Sequence, residues 1–265
     1  MHAVILMPST SILLPLEVEE TILNFLAEDD AGYLALKTCS LVCQAFLPIC
    51  RKHIFERIVL NNYGAVPLPT THAFECLLRE RPKIADYIRK LDHSIRVADL
   101  TSPTIQESLK QISRLESFTV LRYNIAEFDW SNNPIRPALL HLLHLPTLTH
   151  FKVTQINNFV LSDLIPCINL KYLGIDNYTT AAAEITFPAA LPEHPIRLNE
   201  FVAGIRTADA IMKLCTARRP DGQLLIDFKS LSKITMVLEN PNEGAASQEL
   251  FRRCQNLTDV YISCK

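Results

Sequence analysis

The sequence predicts a mixed α/β chain, with a small helical unit first and then a long array of short parallel strands alternating with helices. Three observations carry this prediction. A hexapeptide pattern that opens on leucine recurs from residue 115 to residue 262. Apolar residues among the first sixty positions recur at three- and four-residue steps. Sixteen prolines against six glycines in 265 residues describe many short elements with frequent stops, and leave little material for Gly-rich phosphate loops.

Residues 1–12 are expected to form a flexible N-terminus, and residues 13–60 a trihelical unit. Leu14-Pro15-Leu16-Glu17-Val18-Glu19-Glu20 has the character of a helix start. Pro15 suits the first turn, and Glu17, Glu19 and Glu20 sit where the helix dipole favours negative charge. Val18, Ile22, Phe25 and Leu26 then form an amphipathic face. Asp29 or Asp30 can cap a second helix, whose stripe is Leu36, Cys39, Val42, Cys43 and Phe46. Pro48 either ends that helix or opens a third through Phe55, and Arg57 to Leu60 read as a short strand. Three short helices cannot hide this much apolar surface from water by themselves, which points to a partner.

These residues resemble an F-box of fungal type: Leu14-Pro15-x-Glu17, then Ile22-Leu23 and Leu26, then Leu41-Val42-Cys43-x-x-Phe46. Phe46 stands where the family commonly has tryptophan, keeping apolar bulk without the indole N–H. The resemblance implies a module that docks on the Skp-type adaptor of cullin–RING ubiquitin ligases. It implies adaptor-binding roles for Leu14, Pro15, Glu17, Ile22, Leu23, Leu26, Val42, Cys43 and Phe46, divided between module core and interface.

Beyond residue 60 the recurring pattern is LESFTV from Leu115, LTHFKV from Leu148, LKYLGI from Leu170, LNEFVA from Leu198, LSKITM from Leu231 and LTDVYI from Leu257, with a weaker IRKLDH from Ile88. Alternation within each predicts a short strand with one buried face. Helical patterns lie between them at Ile105–Ile112, Ala138–Leu145, Val160–Ile165, Ala208–Ala217 and Ser247–Arg253. A strand and a helix repeating every 22 to 33 residues resembles irregular leucine-rich repeats, so residues 61–265 are expected to stack as a solenoid. The family's asparagine after the strand is out of register: Asn124, Asn157 and Asn240 come one residue late and Asn177 comes early. A doubly wound α/β domain is the competing fold. The last strand pattern runs to Cys264-Lys265, so the solenoid is expected to carry a cap there or to be truncated.

Strand positions flanking the buried ones would line a binding face. His150, Lys152, Tyr172, Asp176, Glu200, Lys233 and Tyr261 are the candidates for a protein target, with Ser117, Thr119, Thr154, Thr235 and Asp259 beside them.

Other chemistry is weaker. Cys39, Cys43, Cys50 and His53 could be drawn as a zinc site, but no Cys-x-x-Cys is present and the cysteines complete an apolar stripe. His141, His144 and His150 read as packing or surface residues rather than ligands, and no metal or other cofactor is expected. No Gly-x-Ser-x-Gly is present, and the chain is not expected to be an enzyme. A net charge of -2 advertises neither nucleic acid nor an anionic membrane as partner. Eight dispersed cysteines and an N-terminus without a basic signal region suggest an intracellular protein, in cytoplasm or nucleus. The expected function is that of a substrate-recognition subunit of a cullin–RING ligase. The rivals are a repeat scaffold outside ubiquitination and a hydrolase with a dispersed Cys/His site.

Overall fold

The structure is a computed structural model that describes residues 15–28, 32–42, 44–60, 71–122, 128–182 and 191–264. Leu14, Asp29, Asp30, Cys43 and Asn124 lie outside the described residues. The chain divides into two units, one ending at Glu56 and one beginning at Arg57.

The first unit contains α1 (Leu16–Glu28), α2 (Gly32–Val42) and α3 (Phe46–Ile54). Pro15 stands just ahead of α1, where its carbonyl accepts from the N–H groups of Val18 and Glu19 at 2.9 and 3.2 Å. Glu17 and Glu19 occupy the first turn, facing the positive end of the helix dipole. Pro48 opens the third helix instead of ending the second, because it falls in the first turn of α3, where an N–H has no intrahelical acceptor. Leu23, Leu36 and Cys50 make the core, with Leu26, Ala27, Cys39, Phe46, Ile49 and Ile54 packed against it. The expected apolar face of α1 is therefore split. Leu23, Leu26 and Ala27 turn inward, while Val18, Ile22 and Phe25 form a separate exposed stripe.

The described residues of the second unit form ten strands: β1 (Arg57–Leu60), β2 (Lys90–Ile95), β3 (Ser117–Arg122), β4 (His150–Thr154), β5 (Tyr172–Asp176), β6 (Ile196–Arg197), β7 (Glu200–Ala203), β8 (Ile226–Asp227), β9 (Lys233–Leu238) and β10 (Asp259–Cys264). Eight of them form one sheet in the order β1-β2-β3-β4-β5-β7-β9-β10, and β6 pairs with β8 in a second, two-stranded sheet. Every one of these pairings is parallel. The large sheet grows in chain order along one direction, without the reversal of order that marks a doubly wound sheet. The intervening helices are α4 (Thr71–Glu80), α5 (Val97–Thr101), α6 (Pro103–Lys110), α7 (Arg136–Leu143), α8 (Ala208–Thr216) and α9 (Pro241–Arg253), with 3-10 turns at Pro82–Tyr87, Leu161–Leu164 and Phe228–Ser230.

Register explains the core. Ile58, Leu91, Phe118, Phe151, Leu173, Phe201 and Ile234 pair in one row across the sheet, and each is buried. The leucines that open the patterns, Leu115, Leu148, Leu170, Leu198 and Leu231, are buried beside them two residues ahead of each strand. Full burial of such a side chain contributes roughly 1.5–3 kcal/mol, and only neighbouring strands and helices supply it here. Two sequence expectations are corrected. β1 pairs with β2, so it belongs to the second unit and the helical unit stops at Glu56 rather than residue 60. Helix α9 begins six residues before Ser247, because Asn240 caps it: its side chain accepts from the N–H groups of Asn242 and Glu243, and Pro241 takes the first helical position.

Two buried carboxylates accept hydrogen bonds where strands turn into helices. Glu243, 1% exposed, accepts from the backbone N–H groups of Arg206, Glu239 and Asn240, the last at 3.1 Å. Asp99 holds the same third helical position after β2. It accepts from the Arg96 N–H at 3.0 Å and faces His93 Nε2 at 3.3 Å.

Candidate functional site

The first candidate surface lies on the helical unit. Phe25 is 70% exposed, Leu34 72%, Leu41 87% and Val42 74%, with Val18, Ile22 and Tyr33 also open to solvent. Of the residues that the F-box resemblance assigns to adaptor binding, Pro15, Glu17, Ile22 and Val42 are exposed. Leu23 is buried in the unit's own core, and Leu26 and Phe46 pack against that core. Leu23 is thus a structural residue and unavailable for direct contact. Phe25, Leu34 and Leu41 are the exposed apolar residues that assignment by resemblance left out. For Phe25 the signal is the helical step: Val18, Ile22 and Phe25 share one stripe of α1, opposite Leu23 and Ala27.

His53 has a local partner. Its Nε2 lies 2.8 Å from Asn24 Oδ1, which ties α3 to α1. Burial and the nearby Lys52 charge push its pKa down, so the neutral ring is favoured. Cys50 is fully buried, and burial together with Cys39 raises its thiol pKa.

The second candidate surface is the solvent side of β4, β5, β7 and β9. Parallel register places His150, Tyr172, Glu200 and Lys233 in one row, and Lys152 and Asp176 just above it. The His150 and Tyr172 rings stack with centroids 5.6 Å apart and planes at 25°. Lys152 Nζ meets Asp176 Oδ2 at 2.9 Å, and Lys233 Nζ meets Glu200 Oε1 at 2.9 Å. Burial, then the Glu200 and Asp176 charges, raise the Tyr172 pKa, so its hydroxyl stays a proton donor. Two glycines make this arrangement possible. A Cβ on Gly174 would lie 2.9 Å from Lys152 Cγ, and one on Gly204 would lie 1.7 Å from Asp176 Oδ1. Tyr261 lies beyond Lys233, on β10, opposite Thr235. Thr154, expected on this face, is buried. The surface is polar, charge-paired and aromatic at its centre, which suits contact with another protein.

The histidines that the sequence grouped have local partners. The His141 and His144 ring nitrogens face the backbone carbonyls of Ile112 and Asp163 at 3.2 and 2.8 Å, while His150 Nδ1 faces the Thr149 hydroxyl at 2.8 Å. Among the described residues no group of three or more His, Cys, Asp or Glu side chains converges as a metal would need. A cysteine nucleophile needs a depressed pKa. Burial instead pushes Cys215 up to about 12 and Cys254 up to about 11, and raises Cys167 further. No helix among the described residues is long and apolar enough to cross a membrane. No protein-family model matches the chain, and no curated protein matches its sequence.

Proposed function

We propose that this chain is a non-catalytic substrate-recognition subunit of an SCF-type cullin–RING ubiquitin ligase, acting inside the cell. Its helical unit docks on the Skp-type adaptor, and the strand array, as an irregular leucine-rich-repeat solenoid, holds a target protein. Ubiquitin transfer by the associated conjugating enzyme then becomes effectively intramolecular.

The observation that carries this reading is the apolar surface that the helical unit leaves uncovered at Ile22, Phe25, Leu34, Leu41 and Val42, while Leu23, Leu36 and Cys50 already give it a core. Apolar anchors of this kind dominate binding when a groove receives them. The F-box-like order of residues names the adaptor as that groove. Supporting the solenoid half, the strands add in chain order in one parallel sheet, and the polar row from His150 to Lys233 lies on its open side.

The test is affinity purification of the wild-type chain with the Skp-type adaptor beside an Ile22→Asp/Val42→Asp pair and a Leu14→Ala/Pro15→Ala pair. Ile22 and Val42 are exposed, so their replacement spares the core. Each pair should weaken adaptor binding by on the order of 2 kcal/mol, about thirtyfold. Adaptor capture that is unchanged in both pairs rejects the docking claim. Cullin in the wild-type eluate, and a target stabilised in cells when docking is lost, separate a ligase subunit from a scaffold outside ubiquitination.

A further inference from the structure

Helix α4 carries an inference independent of the ligase reading. Phe74 and Leu78 bury one side of this helix, and steps of three and four residues bring His72, Cys76 and Arg79 together on another. Cys76 Sγ lies 3.6 Å from His72 Nε2, and Arg79 Nη2 donates to the same sulfur at 3.3 Å. Across the ring, His72 Nδ1 faces Glu75 Oε2 at 3.6 Å. Glu75 is itself held, because its Oε1 accepts from the Ser102 hydroxyl at 3.0 Å. A carboxylate facing Nδ1 favours the tautomer whose Nε2 is free to take a proton. The thiol thus has a base, a group that orients the base, and a cation for the thiolate. That is the arrangement of an activated nucleophile.

A cleft of about 210 Å³ adjoins these residues, with His72, Glu75, Arg96, Asp99 and Ser102 in its wall. Arg96 Nε and Nη2 are buried there, as is Oγ1 of Thr71, a residue 7% exposed that also lines the cleft. These three atoms have no hydrogen-bond partner of proper geometry among the described residues. A buried donor without an acceptor is costly, so the cleft suits a ligand that brings one. The Arg96 guanidinium matches a carboxylate, and the Glu75 and Asp99 carboxylates beside it match a positive charge. An amino-acid end carries both. His72 lines the cleft and touches the thiol, which joins the two features.

We propose that Cys76 is a thiol-modification site that exchanges with small disulfides bearing an amino-acid end, as glutathione disulfide does. His72 Nε2 takes the Cys76 proton. The thiolate attacks one sulfur of the ligand, and the new S–S bond forms as the old one breaks. The leaving thiolate takes the proton back from His72. Cys76 is oxidised to a mixed disulfide, and half of the ligand is reduced to a free thiol. The step is stoichiometric and modifies the chain itself.

The experiment incubates the full chain with glutathione disulfide and follows each cysteine by peptide mass mapping. Exposure alone favours Cys264, which is exposed where Cys76 is only partly so. The expected order is the reverse, with Cys76 acquiring its adduct about tenfold faster than Cys264. His72→Gln should remove that lead and leave both the Cys264 rate and the circular dichroism unchanged, since the His72 side chain is 80% exposed. Uncharged hydroxyethyl disulfide should show a smaller lead. Arg96→Gln should bring glutathione disulfide down to that level, while the Cys76 rate with the uncharged disulfide stays as in wild type. Another cysteine modified first overturns the proposal. So does a lead that survives His72→Gln, or an equal lead with the uncharged disulfide.

Discussion

At the scale of single residues, the most consequential groups are two buried carboxylates. Glu243 satisfies three backbone N–H groups where β9 turns into α9 and where the chain leaves β7. Arg206, one of those donors, has φ of 57°, a left-handed conformation that a side chain this large rarely adopts without support. Removing the acceptor leaves buried donors unpaired, at about 1–3 kcal/mol each. Glu243→Ala should therefore cost about 3 kcal/mol or more in denaturant-measured stability, and Glu243→Gln clearly less, since one acceptor oxygen remains. Equal losses in the two variants would refute the hydrogen-bonding account. For Asp99, burial pushes the carboxyl pKa up, but the hydrogen bond and charge of His93 and the Arg96 N–H outweigh it and hold the pKa below the ordinary value of 3.8. A folded pKa below the unfolded one means that the unfolded chain binds more protons between the two values. The stabilisation is thus complete above the ordinary carboxylate range and is lost as pH falls through it toward the folded value. Wild type should show this acid-side loss in urea melts, and Asp99→Asn should show less of it.

At the scale of elements, the strand face depends on how closely neighbouring strands can approach. Gly204 follows β7 and leaves the space that the Asp176 carboxylate fills. Asp176 Oδ1 in turn accepts from the Asn177 N–H at 2.9 Å, at the exit from β5, where Asn177 and Tyr178 both have positive φ. Gly204→Ala puts a methyl group where that oxygen sits, displacing Asp176 from Asn177 and from Lys152. The expected cost is about 1–3 kcal/mol, the range for overpacking a filled site. Gly222 has positive φ, and nothing lies within 4 Å of where its Cβ would stand, so Gly222→Ala tests conformation without crowding. A Gly204→Ala variant as stable as wild type would show that close packing against Asp176 is not what Gly204 provides.

At the scale of the whole second unit, stability should be graded along the sheet. Strands β4 and β5 have partners on both sides and bury Phe151, Val153, Leu173 and Ile175, whereas β10 has one partner among the described strands and no buried residue. A stacked array opens from its ends at lower free energy than from its middle. Hydrogen exchange should therefore find the weakest protection in β10 and the strongest in β4 and β5. Uniform protection across the sheet at low concentration would contradict the graded picture.

Much of this was legible in the amino-acid order. The alternation after Leu115, Leu148, Leu170, Leu198, Leu231 and Leu257 announced six strands, because a residue with one buried face must repeat every two positions. The row from His150 to Lys233 was legible for the same reason: it is the complement of the buried positions. The sequence by itself therefore determined the alternation of strand and helix and which side of β3, β7 and β9 faces water, but not that Thr154 is buried or that all six residues of β10 are exposed. Tertiary structure decided what depends on distance between segments far apart in the chain. It drew β1 into the sheet through β2, turned Leu23 inward and Phe25 outward, placed Glu243 beneath the backbone of Arg206, and set Gly204 against Asp176. Local periodicity reports the environment on either side of an element, whereas these contacts are fixed only when the neighbouring element packs.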